Sequence, residues 1–456
     1  MERLRLWFLS RIRASVPSHM DGHAHVQFPA RAMGGIRPRD ECRWLAGDVR
    51  PRRDQLVAAL ASRSAGFGEC RLVVRCVVRG IPRRVRRHLF ALRGEMNFKG
   101  KLALQQRVLP TYRVPFFDLL ASHCEDGMSL FAGVARPEEM IAGGTTHIAK
   151  HVEAENIHLF NGAFYLCYQK GFINWLEAWN PDALIVEANP RYLATSSAVK
   201  WMHARGRKVI GWGLGSPRLS GPGAGFRKMR RMQFLSRFDA LLTYSQRGAD
   251  EYAALGFPRE KIFVAHNSVS AKPMFNVQRS TFNAQPTLLF VGRLQARKRV
   301  DSLLRACAEM ESKPRLLIVG DGPERAAMES LAKEIYPSAE FIGAKHGAEL
   351  KPYFEQADLF VLPGTGGLAV QEAMSYGLPV IVAKGDGTQD DLVREKNGWQ
   401  IEPENYDALV AAMKNALSDV ARLREMGRES FRIVSEEINI EKMAEAFVKA
   451  LNYVNT

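Results

Sequence analysis

ADLFVLPGTGGLAVQEAMSYGLPVIVAKGDGTQDDLV, residues 357 to 393, is the stretch on which the fold of this chain turns. Leu359 to Pro363 is a short apolar run of the kind a parallel sheet buries on both faces. Gly364, Thr365, Gly366 and Gly367 then turn the chain. From Leu368 and Ala369 to Glu372 and Ala373 the spacing is helical, closed by Gly377 with Pro379 behind it. A helix that opens on glycines offers free N–H donors and the positive end of its dipole, which suits a phosphate or a sugar hydroxyl. Glu372, about one turn further in, brings two acceptor oxygens that can grip a vicinal diol. Taken alone, the stretch reads equally as a generic strand-to-helix turn with a surface glutamate.

Two upstream stretches decide between these readings. TLLFVGRLQARKR, residues 287 to 299, is a buried strand whose following loop presents Arg293 and Lys298, and LLIVGDGP, residues 316 to 323, is a second strand entering a glycine turn. Open parallel sheets bind ligands at the carboxyl ends of their strands, which puts all three loops on one edge. A guanidinium fork and an ammonium beside glycine amides make a pocket for a diphosphate. FVGRLQARK, IVGDGPE and QEAMSYGLPVIV, in this order and spacing, resemble the signature of retaining GT-B glycosyltransferases of the family 4 type. The resemblance runs from about Lys99 to the C-terminus and is strongest over Thr287 to Val393.

That resemblance implies an α/β fold of GT-B architecture: two Rossmann-like parallel-sheet domains facing each other across a cleft, with a C-terminal helix crossing back. The expected boundaries are 96–275 for an acceptor domain, 286–438 for a nucleotide-sugar domain and 439–456 for the crossover helix. The implied activity is transfer of a hexose, with retention, from a UDP- or GDP-linked sugar to a saccharide or lipid-linked acceptor. Bacterial cell-surface polysaccharide or glycolipid synthesis is the implied setting. Arg293 and Lys298 would neutralise the diphosphate, stabilising charge that grows as the glycosidic bond breaks. Glu372 would hold the ribose hydroxyls. Gly292, Gly320 and Gly343 at strand ends, together with Gly364, Thr365, Gly366, Gly367, Leu368 and Ala369, would line the donor site. No Asp-x-Asp occurs in the chain, so neither a metal nor any other cofactor is expected.

Two departures stand out. The family usually has a glutamate eight positions before Glu372, where this chain has Gly364, and an Asn-Gly pair where it has Asn267 followed by Ser268. The first leaves open a repurposed donor loop, a GT-B epimerase, or an inactive nucleotide-sugar-binding subunit.

In the first half, KLALQQRVLP is strand-like and TYRVPFFDLLASH a loop opening a helix, with Arg107, Tyr112 and Arg113 on the edge expected to face the cleft. Arg113 reads equally as a surface cation. MSLFAG is the second strand. Residues 137 to 161 are polar with few anchors. PDALIVEANP is a buried strand that leaves Glu187 at its carboxyl end, a candidate acceptor base or hydroxyl ligand. Asn189 or Thr195 is expected to cap the helix that follows. GFRKMRRMQFLSRF, residues 225 to 238, interleaves five cations with apolar residues at helical spacing. Its stripe is expected to pack in the core, with contact to an anionic membrane the lesser alternative.

Composition narrows the classes. The 456 residues allow two or three domains, and 46% hydrophobic residues fill their cores. No apolar run approaches the roughly 20 residues needed to span a bilayer. The six cysteines contain no C-x-x-C pair, which fits a reducing, cytoplasmic setting, peripheral to the plasma membrane if residues 225 to 238 contact it. The formal charge of +16 is concentrated in residues 1 to 95, which hold 20 Arg, no Lys and 8 acids. A nucleic-acid arm has no reason to exclude lysine, so no nucleic-acid partner is expected. An extension outside the folded chain, or a start at Met96, is the expected reading of that segment.

Overall fold

The computed structural model describes residues 97–139, 141–216, 220–273 and 285–456. The arginine-rich segment 1–95 lies outside the described residues. Fourteen strands among them form two sheets. The first contains β1 (Leu102–Val108), β2 (Met128–Gly133), β3 (Lys150–Leu159), β4 (Leu166–Lys170), β5 (Ala183–Glu187), β6 (Lys208–Gly213), β7 (Ala240–Thr243) and β8 (Ile262–Val264). Their order is β4-β3-β2-β1-β5-β6-β7-β8, with only the β3–β4 pair antiparallel. The second contains β9 (Thr287–Val291), β10 (Arg315–Val319), β11 (Glu340–Gly343), β12 (Leu359–Leu362), β13 (Val380–Ala383) and β14 (Gly398–Ile401). It is parallel throughout, in the order β11-β10-β9-β12-β13-β14.

The apolar runs account for this. LLF in β9, LFVL in β12 and VIVA in β13 are buried along their whole length, as strands covered by helices on both faces must be. In both sheets the strand order reverses beside the first strand, at β1/β5 and at β9/β12. Such reversals open a crevice at the strands' carboxyl ends.

The final helix, Ile440–Asn455, packs on the first sheet rather than the second. Met443, Phe447 and Leu451 join the core of Phe116, Phe117 and Trp212, and the Phe447 ring sits edge-on to Phe116 and Trp212 at centroid distances of 5.0 and 4.9 Å. Asn439 starts this helix by accepting from the Lys442 N–H at 2.8 Å.

Several expectations need correction. Residues 137 to 161 contain the ten-residue strand β3, which pairs with β2 and then with β4. The β3–β4 hairpin reaches toward β1 and the loop after β5: Gln169 donates to the Gln106 carbonyl at 3.0 Å, Asn156 donates to the Arg107 carbonyl at 2.8 Å, and the Leu193 N–H meets the Cys167 carbonyl at 2.9 Å. Neither Asn189 nor Thr195 caps the helix Thr195–His203; Asn189 instead accepts from the Arg191 N–H at 3.1 Å. In the helix Ala224–Leu235 only Phe234 and Leu235 are buried, while Phe226, Met229 and Met232 stay exposed. The last turn alone reaches the sheet, so the expected core stripe is not formed. No helix among the described residues is long and apolar enough to cross a membrane.

Candidate functional site

The loops at the β9/β12 reversal bring the second half's candidates together. The loop after β9 carries Arg293 and ends in the turn Ala296–Lys298; the loop after β12 is Pro363 to Leu368, leading into the helix Ala369–Ser375. They are laced together by backbone: the Thr365 N–H donates to the Arg297 carbonyl at 3.1 Å. Lys298 completes the clasp, its ammonium donating to the carbonyls of Thr365 at 2.8 Å and Gly366 at 2.6 Å. The lysine is buried, which pulls its pKa down to about 8, with Arg297 adding to the effect.

Gly364 has no room for a side chain. A Cβ there would overlap the Arg297 carbonyl oxygen and stand 2.5 Å from the Lys298 carbonyl carbon. The glycine is therefore required by the close approach of two loops, and the place where the family carries a glutamate is filled by main chain. Thr365, expected at the donor, has its N–H and carbonyl both engaged with the β9 loop. Gly320 plays a comparable part, since its φ is +147° and a Cβ would overlap the Gly292 carbonyl. Gly292 and Gly343 end β9 and β11 beside it: Gly292 donates to the Val319 carbonyl at 3.0 Å and Gly320 to the Gly343 carbonyl at 2.8 Å. Gly366 and Gly367 both have positive φ, and Leu368 is the first residue before the helix that starts at Ala369.

Glu372 lies in that helix. Among the described residues its carboxylate has no hydrogen-bond partner, and burial pushes its pKa up to about 6. A half-buried carboxylate that is not satisfied internally is suited to accept from ligand hydroxyls. Gln371, which sequence reasoning missed, faces the other way and is 1% exposed. Its Oε1 accepts from the N–H groups of Val269 at 2.7 Å and Ser270 at 3.3 Å, and its Nε2 donates to Ser268 Oγ at 2.5 Å and the Ile438 carbonyl at 2.7 Å. The helix bearing Glu372 is thus tied to both segments that pass between the sheets.

Across the gap stands the β1/β5 reversal. The Arg107 N–H donates to Glu187 Oε2 at 2.5 Å, and the Glu187 N–H donates to Gln105 Oε1 at 3.1 Å. Burial raises the Glu187 pKa to about 7, against the opposing pull of the Arg107 N–H and charge. The Arg107 side chain pairs with Glu139 Oε2 at 2.9 Å, and the Glu139 carbonyl in turn accepts from Arg293 Nη1 at 3.3 Å. Arg107, Glu139 and Arg293 therefore form a chain between the two sheets, with Glu139 a link the sequence did not reveal. Burial works to raise the Glu139 carboxyl, but hydrogen bonds from Arg107 and from the Arg136 N–H hold it below the usual carboxylate range.

Arg113 corrects another expectation. It is neither a surface cation nor a cleft-lining one, being buried and donating to the Ser268 carbonyl at 3.1 Å and to the Asn267 side chain. Its guanidinium lies over Trp212 and Tyr244 at 5.7 and 5.5 Å. Arg113 and Asn267 fasten the first sheet to the connecting strand of chain. Tyr112 beside it is exposed.

Two cavities flank this arrangement. One of about 550 Å3 opens among the loops that follow β9, β10, β12 and β14, lined by Arg297, Glu324, Gly364 and Glu404 among others; Arg293, Lys298 and Glu372 are not in its lining. The other, about 720 Å3, lies at the tip of the β3–β4 hairpin against Phe160, Phe164, Tyr165 and Arg191. Among the described residues no three His, Cys, Asp or Glu side chains gather as metal ligands would.

Comparisons with known proteins bear on the family and on the fold. Residues 275–432 match the family described as glycosyl transferases group 1. An uncharacterized glycosyltransferase of Methanocaldococcus jannaschii is 28% identical over 209 residues, 41% of this chain and 54% of the relative. A GDP-mannose-dependent alpha-mannosyltransferase of Mycobacterium tuberculosis is 33% identical over 183 residues, 38% of this chain and 46% of the relative. The match spans about half the length of these curated relatives. Among solved structures, sucrose-phosphate synthase from Thermosynechococcus elongatus superposes with a TM-score of 0.58 at 19% identity, covering 78% of this chain and 99% of that one. Anabaena HepE in complex with UDP and glucose gives 0.55 at 16% identity, covering 77% and 99%. Residues 275–432 thus match the glycosyl transferases group 1 family, and the two-sheet fold that carries them is shared with solved GT-B glycosyltransferases.

Proposed function

We infer that this protein transfers a hexose from a UDP- or GDP-linked sugar to a saccharide or lipid-linked acceptor. The reaction would proceed with retention, without a metal ion, on the cytoplasmic side of a bacterial membrane, in polysaccharide or glycolipid synthesis. The observation that carries this reading is the opposition of two strand-order reversals. Arg293, Lys298 and Glu372 belong to the loops and helix at one, Glu187 and Arg107 to the other, and Glu139 links Arg107 to Arg293.

In this reading the Arg293 fork and the Lys298 ammonium bind the donor diphosphate. Both gain most from the charge that builds on the leaving oxygen, so they favour the transition state over the ground state. Glu372 accepts from the ribose hydroxyls, and the glycine turn at Gly366 and Gly367 lets backbone approach the sugar. Glu187, held near neutrality by burial, orients the acceptor hydroxyl or takes its proton. For Lys298 to reach a phosphate it must release the Thr365 and Gly366 carbonyls, so donor binding and the shape of the β12 loop are linked.

Incubation with UDP- and GDP-linked sugars and a panel of saccharide and lipid-linked acceptors tests the reading. Free nucleotide diphosphate together with glycosylated acceptor supports it. An epimerised donor would make the protein an epimerase, and tight nucleotide-sugar binding without turnover would make it a binding subunit. Arg293→Ala should cut turnover by about 2.7 to 4 kcal/mol of barrier, the cost typical of one lost contact to developing charge.

A further inference from the structure

The helix Ala224–Leu235 keeps outside what a core helix would bury. Its sequence AGFRKMRRMQFL holds four cations and no acid. Phe234 and Leu235, in its last turn, pack with Phe238 in the core of the first sheet. Phe226, Met229 and Met232 are 61%, 55% and 40% exposed, and Leu214, just past the end of β6, is 52% exposed. At about 100° per residue, Phe226, Met229 and Met232 form one stripe roughly opposite the buried face. By the same geometry Lys228 falls on one flank of that stripe and Arg230 on the other.

The orientation of the helix is held. Arg227 donates to the carbonyls of Pro222 and Ser220, both at 2.6 Å, and Arg231 donates to Ser216 Oγ at 2.5 Å. These two cations serve the loop after β6. Lys228 and Arg230 make no hydrogen bond or ion pair among the described residues, and the Arg230 guanidinium lies 5.9 Å from the Phe226 ring. An apolar stripe flanked by two uncommitted cations, with no acid on the helix, matches a surface that is anionic outside and apolar beneath. A second copy of the chain is a poor occupant, because two such faces would bring four cations against four.

We propose that this helix docks the protein on anionic lipid. Phe226, Met229 and Met232 enter the boundary between headgroups and acyl chains, and Lys228 and Arg230 lie among the lipid phosphates. The contact does not depend on which acceptor the enzyme uses, so it stands or falls separately from the transfer reaction.

Hydrogen exchange on the full chain tests this locally, which separates the helix from the arginines of residues 1 to 95. Amides of residues 224–235 should exchange more slowly once phosphatidylcholine vesicles containing phosphatidylglycerol are added, and not with phosphatidylcholine alone. Phe226→Ser with Met229→Ser should abolish the slowing and weaken vesicle binding about tenfold. Lys228→Glu with Arg230→Glu should do the same with no loss of thermal stability, since both side chains are solvent-facing. Unchanged exchange on anionic vesicles would overturn the proposal. So would equal slowing on neutral vesicles, slowing that follows protein concentration without lipid, or slowing of residues 224–235 that persists in either double variant.

Discussion

The Lys298 ammonium lies 2.6 Å from the Gly366 carbonyl oxygen and 2.8 Å from that of Thr365, so one buried cation clasps the two loops that flank the β9/β12 reversal. Burial first, and the neighbouring Arg297 second, lower its pKa to about 8. The folded state therefore sheds this proton before the unfolded state does. Stability linked to Lys298 is lowest below pH 8 and rises as pH climbs toward the ordinary lysine range. In the proposed reading donor binding has the opposite sign, because it would use the charged form. Affinity for the nucleotide sugar should fall above pH 8, by at most about tenfold per unit. Calorimetric titration across this range checks it: Lys298→Met should bind weakly and show no such slope.

Gly364→Ala should already damage the β12 loop. Its Cβ would meet the main chain of Arg297 and Lys298, which has no side chain to move aside. The expected cost is about 1 to 3 kcal/mol of stability, as for other overpacked sites, together with weakened donor binding. Gly364→Glu, which restores the residue usual in the family, should be at least as harmful. Thermal unfolding of the two variants settles the cause. Carboxylate repulsion alone would leave the alanine variant normal, whereas steric overlap makes both unstable.

Glu187→Gln should stabilise the protein at pH 8 and leave it nearly unchanged at pH 5. With a folded pKa near 7, the wild-type carboxyl keeps its proton where the unfolded chain has lost it, and the resulting stability disappears as pH rises through 7. A permanently neutral side chain that still accepts from the Arg107 N–H avoids that loss, by about 2 to 3 kcal/mol at pH 8. Turnover should fall in the same variant if Glu187 handles the acceptor hydroxyl. Melting curves at the two pH values, paired with rates, separate the two effects.

Gln371→Leu should destabilise by about 3 kcal/mol or more, since it strands the Val269 and Ser270 N–H groups and the Ile438 carbonyl in a buried place. A loss in melting temperature without change in donor contacts would locate Gln371 in the connection between sheets. Unchanged stability would mean that water replaces all four bonds.

What the sequence determined by itself was the parallel α/β fold and the place of the glycine loops on its carboxyl edge. Short apolar runs such as LLFVG and LFVLP, separated by helical segments, have few other ways to be buried, and their glycine turns mark the carboxyl edge. Arg293, Lys298 and Glu372 were visible because their residue types stand in the loops that edge must present. The β3–β4 hairpin was not, because its strands are half exposed, lack a clean alternation, and gain their order from Gln105, Gln106 and Arg107, 49 to 64 residues earlier. Glu139, Gln371 and Arg113 escaped for a similar reason. Each is an unremarkable polar residue until folding brings a partner more than a hundred positions away: Arg293 to Glu139, Val269 to Gln371, Ser268 to Arg113. Only the tertiary structure decided that a side chain at position 364 would meet main chain, and that the stripe Phe226, Met229 and Met232 faces outward. Helical spacing says which residues share a side, while the neighbour that side meets is set by the packing of the whole sheet.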